Sequence, residues 1–300
     1  MQLGFVSAIL PDLPLADVFA FAADEGFDCV ELMCWPPGAS DRRYAGVTHL
    51  DVTNVTDETV GVVRDLVAKT GVAISGLGYY PNPLHPDAEH RRNVVGHLKK
   101  VIQAAPRFGV GVVNTFIGRD PQKSVRDNWP LFDQVWPEVM KVAEAAQVRI
   151  GIENCPMLFS LDEWPGGANL ATTPEIWRVM FEKLPALGLN FDPSHLVWQH
   201  IDVARCVREF GKRFVHVHAK DTRVDVDALY QRGIMGLGWH TPKLPGLGDV
   251  PWGPLFSALG DAGYTGAVCI EVEDRAYEGS LADRQRALRQ SQRFLQQFMQ

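Results

Sequence analysis

The sequence predicts a (β/α)8 barrel. Strand-like and helix-like segments alternate from end to end, eight of each. The strand-like runs are continuously apolar, as in strands covered on both faces. No linker divides the chain and no GxGxxG follows the first strand, which argues against a doubly wound open sheet.

The elements follow in order. QLGFVS (2–7) is the first strand, and its helix over 14–25 stops at Glu25-Gly26. CVELM (29–33) precedes a helix over 57–69, opened by Thr56 and Asp57 and closed by Thr70-Gly71. VAISGLG (72–78) leads to a helix over 88–106, and GVVNTFI (111–117) to one over 130–146. VRIGIE (148–153) leads to a helix over 174–183 behind Thr173-Pro174. GLNFD (188–192) leads to 202–210, and FVHVH (214–218) to 252–262, opened by Pro251 and closed by Ala262-Gly263. AVCIEV (267–272) leads to a last helix over 280–298. Proline suits a first helical turn, whose N–H groups lack partners, and glycine suits the left-handed residue just past a helix end.

Three hundred residues are read as one barrel domain, 1–300, with ample core. The step from His218 to Glu271 is unusually long for one barrel unit. Its excess, residues 222–250, is rich in glycine and aromatics and follows a strand, so it is expected to fold over the barrel mouth as a lid. A net charge of −7 argues against a nucleic-acid partner. The N-terminus carries neither a basic leader nor an unbroken apolar span, so no membrane association is expected. Five cysteines without a CxxC pair read as reduced thiols in a cytoplasmic protein. Homo-oligomerisation is left open.

The chemistry lies in four runs of the second half: IGIEN, NFDPSH, VHVHAKD and CIEVED. Each is strand-like and ends near a metal-ligand residue type: Glu153, Asp192, His218 and Glu271. A parallel barrel gathers its strand ends into one ring. Three carboxylates and one imidazole there suit one divalent cation. Two are glutamates, long enough to move protons as well.

These runs resemble the xylose-isomerase-like barrel superfamily, in its sugar-phosphate isomerase/epimerase branch, most specifically from Glu153 to Asp274. The resemblance implies one divalent metal on Glu153, Asp192, His218 and Glu271, with Mn expected first and Mg, Co or Zn as alternatives. It implies a small carbohydrate substrate and proton abstraction next to a carbonyl through an enediolate, with Glu153 and Glu271 catalytic. Isomerase/epimerase chemistry is the first expectation. A lyase or dehydratase acting on keto-sugars, keto-inositols or 3-keto-glycosides would use the same groups. His195 either reaches substrate or caps a helix in its loop. Lys220 and Arg223 are expected on substrate oxygens, and Trp239 and His240 of the long insertion against substrate. His216 faces the same side of its strand as His218 and either supports a ligand or packs in the barrel. Asp221 is expected to orient a ligand histidine or accept from a sugar hydroxyl. The glycine turn GLGD (246–249) is weak evidence for phosphate. The superfamily's abasic-site endonucleases need a histidine-rich three-metal cluster, against nine histidines in this whole chain. A non-enzymatic sugar-binding barrel is disfavoured because all four ligand types are intact.

Overall fold

A computed structural model describes residues 1–38, 45–158 and 167–299. Eight parallel strands close into a barrel. They are β1 (Gln2–Val6), β2 (Cys29–Met33), β3 (Ala73–Gly78), β4 (Val112–Thr115), β5 (Arg149–Glu153), β6 (Gly188–Phe191), β7 (Phe214–Ala219) and β10 (Ala267–Ile270). β10 lies between β7 and β1, pairing Cys269 with His218 and Gly4 with Cys269. All eight strands fall where continuous apolar runs place them, because strands with a filled interior and a helical coat have no polar face. Glycine makes close approaches possible: a Cβ on Gly4 would stand 2.3 Å from Cys29 O.

Helices α1 (Leu15–Asp24), α2 (Asp57–Thr70), α3 (Ala88–Ala104), α4 (Val125–Ala146), α5 (Pro174–Lys183), α7 (Val203–Phe210), α9 (Trp252–Asp261) and α10 (Leu281–Leu295) alternate with the barrel strands. Thr56 and Thr173 cap α2 and α5, accepting from the N–H of Thr59 and Ile176. Gly26, Gly71 and Gly263 take the left-handed conformation past α1, α2 and α9, at φ +73°, +72° and +71°. α4 starts five residues before the expected Pro130, because Ser124 accepts from Asp127 N at 3.1 Å and nucleates the earlier turn. Pro130 therefore sits inside the helix, leaving one ladder N–H missing. Trp136 and Trp177 fill the layer between helices and barrel, with indole N–H groups donating to Ile117 O and Ala171 O.

Among the described residues, two further α-helices and two further strands lie beyond the alternation. α6 (Ser194–Val197) is a short turn after β6, and α8 (Val226–Arg232) joins β8 (Asp221–Val224) to β9 (His240–Lys243). β8 and β9 form an antiparallel hairpin in the long insertion. All five cysteines are free thiols. Among the described residues no helix is long and apolar enough to cross a membrane.

Candidate metal centre

Glu153 ends β5, Asp192 follows β6, His218 lies near the end of β7 and Glu271 follows β10. Parallel closure therefore brings all four to the C-terminal rim. One donor atom each of Glu153, His218 and Glu271 lie within 4.8 Å of one another. His218 Nδ1 is 3.7 Å from Glu153 Oε2 and 3.5 Å from Glu271 Oε2. Lys220 Nζ ties in the fourth: it lies 3.0 Å from Asp192 Oδ2, 2.7 Å from Glu271 Oε2 and 3.1 Å from Glu273 Oε2.

Backbone locks hold two carboxylates in place. Asn154 donates to Asp192 O and accepts from Asp192 N, both at 2.8 Å. Asn169 donates to Glu153 O at 2.9 Å and Cys155 O at 2.7 Å, and its Oδ1 accepts from the N–H groups of Ile117 and Gly118. Asp192 Oδ1 is used by Ser194 N at 2.8 Å. Asp192 Oδ2, outside its ion contacts with Lys220 and His195, and His218 Nδ1 are buried without a hydrogen bond. Buried polar atoms are seldom left so. An oxygen of a carboxylate and a ring nitrogen, aimed into a carboxylate-rich cluster, have the character of divalent-cation ligands, and the donor set fits that group.

The electrostatics are uneven. Burial, then Glu271, raises the pKa of Glu153. Burial also works against an ionised Glu271, but Lys220 and His218 outweigh it and hold that carboxyl at about 2. Asp192 is likewise opposed by burial and still held well below the usual range by Lys220 and His195. Burial disfavours the Lys220 ammonium, yet Asp192 and Glu271 keep its pKa well above the usual value. Two glutamates with pKa values pushed apart are a recurring acid/base arrangement.

The other expected residues divide. His195 joins the cluster, its Nε2 3.2 Å from Asp192 Oδ2 and 3.7 Å from Glu153 Oε1. His240 reaches the same wall: its ring stacks on Trp198 at 4.5 Å. Burial, then His195, lowers its pKa to about 4, which leaves the imidazole neutral near pH 7. Trp239 is buried, edge-on to Trp198 at 6.1 Å, with its N–H spent on Gly236 O. His216 packs inside the barrel, Nδ1 3.0 Å from Asn190 Oδ1 and Nε2 3.1 Å from Ser75 Oγ. Arg223 is exposed on β8, where strand alternation buries Thr222 instead, so it is not brought to the cluster. Asp221 does not hydrogen-bond to His218. Its carboxylate accepts from the N–H groups of Thr222, Gly246, Gly248 and Val250 and from the Trp252 indole. It thereby consumes the glycine-turn N–H groups that a phosphate would need.

The insertion is packed at one end and exposed in its middle. Its β9 end packs on Trp198 beside His195, whereas Tyr230 and Met235 are 91% and 65% exposed and cover nothing. Replacing 230–242 by a short Gly/Ser link removes the His240–Trp198 stack. We expect unchanged metal content by elemental analysis and a turnover lowered by about tenfold, on the scale of an aromatic contact. Unchanged turnover would rule out a role for this wall.

Sequence reasoning missed Glu31, Asn154, Asn169 and Asn190. Glu31 had a signal: it is a carboxylate inside CVELM, an otherwise apolar strand, and is fully buried.

The profile of the xylose isomerase-like TIM barrel family matches residues 19–298. The uncharacterised protein YfiH of Bacillus subtilis is 28% identical over 316 residues, covering 91% of this chain and 93% of YfiH. Inosose dehydratase of Clostridium tetani is 34% identical over 114 residues, covering 36% of this chain and 38% of the enzyme. Among solved structures, D-psicose 3-epimerase from Clostridium cellulolyticum H10 superposes with a TM-score of 0.71 at 16% identity, covering 99% of each chain. The IolI protein with a bound zinc atom superposes at 0.73 and 16% identity, covering 100% of this chain and 99% of IolI. With its closed eight-stranded parallel barrel and a family match over nearly its whole length, this chain belongs to the xylose isomerase-like TIM barrel family.

Proposed function

We propose that this protein is a divalent-metal-dependent sugar isomerase or epimerase that removes the proton from a carbon next to a carbonyl. The observation that carries this reading is the convergence of Glu153, His218 and Glu271 within 4.8 Å, beside a buried Asp192 oxygen and a His218 ring nitrogen that no hydrogen bond uses. Glu153, Asp192, His218 and Glu271 would hold the cation. The three-carboxylate, one-imidazole set suits Mn first, with Mg, Co and Zn as alternatives, and IolI carries zinc on the same fold. A bound divalent cation would polarise the substrate carbonyl and acidify the neighbouring C–H.

The chain's own groups do the rest. Glu153 and Glu271 take and return the proton. Lys220 presents an ammonium among the carboxylates, whose charge favours a substrate oxygen that turns negative. His195 and the His240–Trp198 wall limit the space for water and substrate. Free thiols and the acidic net charge are in keeping with a cytoplasmic enzyme of small molecules.

The likeness to inosose dehydratase favours one second reading. The same proton abstraction from a keto-inositol or 3-keto-glycoside would expel water or an aglycone. A screen in heavy water with added Mn, over ketoses, keto-inositols and 3-keto-glycosides, separates the two. Deuterium uptake with carbon skeleton and oxygens retained supports epimerase or isomerase action; released water or aglycone supports the lyase. Absence of exchange from every substrate in the fully metallated protein would sink both.

A further inference from the structure

We infer that Glu31, from the far side of the barrel, is the positioning residue that selects which ring nitrogen His218 presents to the cation. This rests on the metal reading above. Glu31 lies on β2, fully buried in the barrel interior, 187 residues from His218 in sequence. A carboxylate there is costly unless its oxygens are satisfied. They are. Glu31 Oε2 is 2.8 Å from His218 Nε2, and Oε1 accepts from the Tyr80 hydroxyl at 2.5 Å. Room for that carboxylate is built in: a Cβ on Gly78 would stand 2.6 Å from Glu31 Oε1.

Three groups crowd His218 Nε2: Glu31 Oε2 at 2.8 Å, the Asn190 amide at 3.0 Å and the Tyr80 hydroxyl at 3.3 Å. His216 Nδ1 lies 3.0 Å from Asn190 Oδ1, which leaves the Asn190 amide nitrogen facing the Tyr80 hydroxyl oxygen at 3.1 Å. Tyr80 therefore receives from Asn190 and gives its own proton to Glu31. Glu31 Oε2 is the nearest of the three, so Nε2 is taken up on the barrel side and is closed to a cation. The ring's other nitrogen, Nδ1, faces Glu153 and Glu271 at 3.7 and 3.5 Å and has no hydrogen bond. A histidine bound to metal through one nitrogen and to a carboxylate through the other has a fixed tautomer, a fixed ring plane and a more basic ligand atom. The opposite assignment, a protonated Glu31 donating to Nε2, would put hydrogen on Nδ1 and close that atom to a cation.

Zinc-loaded protein tests this with diamagnetic metal. Long-range proton–nitrogen correlation of ¹⁵N-histidine-labelled protein is expected to show His218 with hydrogen on Nε2 and zinc on Nδ1. Zinc on Nε2 would overturn the inference without touching the metal reading. Glu31→Gln supplies the second arm, since its amide can donate to Nε2 and stabilise the wrong tautomer. Zinc affinity by chelator competition should fall about 10–100-fold in Glu31→Gln, at unchanged thermal stability of the metal-free protein. Tyr80→Phe, which keeps the carboxylate, should lose less than Glu31→Gln. Affinity within twofold of wild type in a folded Glu31→Gln would also overturn it. Wild-type protein that binds no zinc would overturn the metal reading and this inference together.

Discussion

Glu153→Gln and Glu271→Gln should each slow solvent exchange of the substrate C–H by ~10²–10⁴, the usual cost of losing a positioned base. Glutamine keeps the length and shape of the side chain and can still offer an oxygen to a cation, but it cannot take a proton. The two variants differ in their side effects. Glu271 is ion-paired to Lys220 at 2.7 Å, so its amide leaves a buried ammonium short of one partner and weakens the cluster. Glu153 has no such ion pair with Lys220 among the described contacts, and its carboxyl is already pushed towards the protonated form by burial and by Glu271. Glu153→Gln is therefore the gentler structural change. Metal content and exchange rate must be measured on the same samples. If either variant exchanges at the wild-type rate with full metal, that glutamate is not a proton-transfer group.

The barrel and the meeting of four polar residues at its rim were legible for one reason. Strand and helix alternate without a break, and strand ends in a parallel barrel converge whatever the sequence distance between them. Glu153, Asp192, His218 and Glu271 could therefore be named from four short runs. What lies behind them was not legible. Glu31, Tyr80 and Asn190 reach His218 only because β2, β3 and β6 close around it, and no local pattern carries that geometry. The hairpin of β8 and β9 was missed because DTRV and HTPK lack the apolar runs and the alternation that mark strands. Arg223 shows the limit of carrying a position across from relatives, since its place on a solvated hairpin turns it outward. Asp221 was misread because its sequence neighbour is Lys220, whereas all its partners but Thr222 come from 25 to 31 residues further on.

Asp221→Ala should destabilise the protein by ~3 kcal/mol, the scale of a buried, charged acceptor serving several donors. The carboxylate accepts from four backbone N–H groups and one indole, at 2.8 Å from Thr222, 2.9 Å from Gly246, 3.2 Å from Gly248, 3.0 Å from Val250 and 2.9 Å from Trp252. Burial raises its pKa, against the pull of Trp252 and the backbone donors. The cost of alanine thus comes from donors left without an acceptor more than from a lost charge. Water can reach only part of that vacated space, because a Cβ on Gly248 would already stand 2.4 Å from Asp221 Oδ1 and 2.3 Å from Thr222 O. Asp221 also joins the start of the insertion to its end, so its loss should loosen the hairpin that sets His240 against Trp198. Two measurements follow: urea unfolding of metal-free protein for stability, and turnover of the metal-loaded protein for the wall. A loss below ~1 kcal/mol would mean that water replaces the carboxylate cheaply and that Asp221 is not the anchor of the insertion.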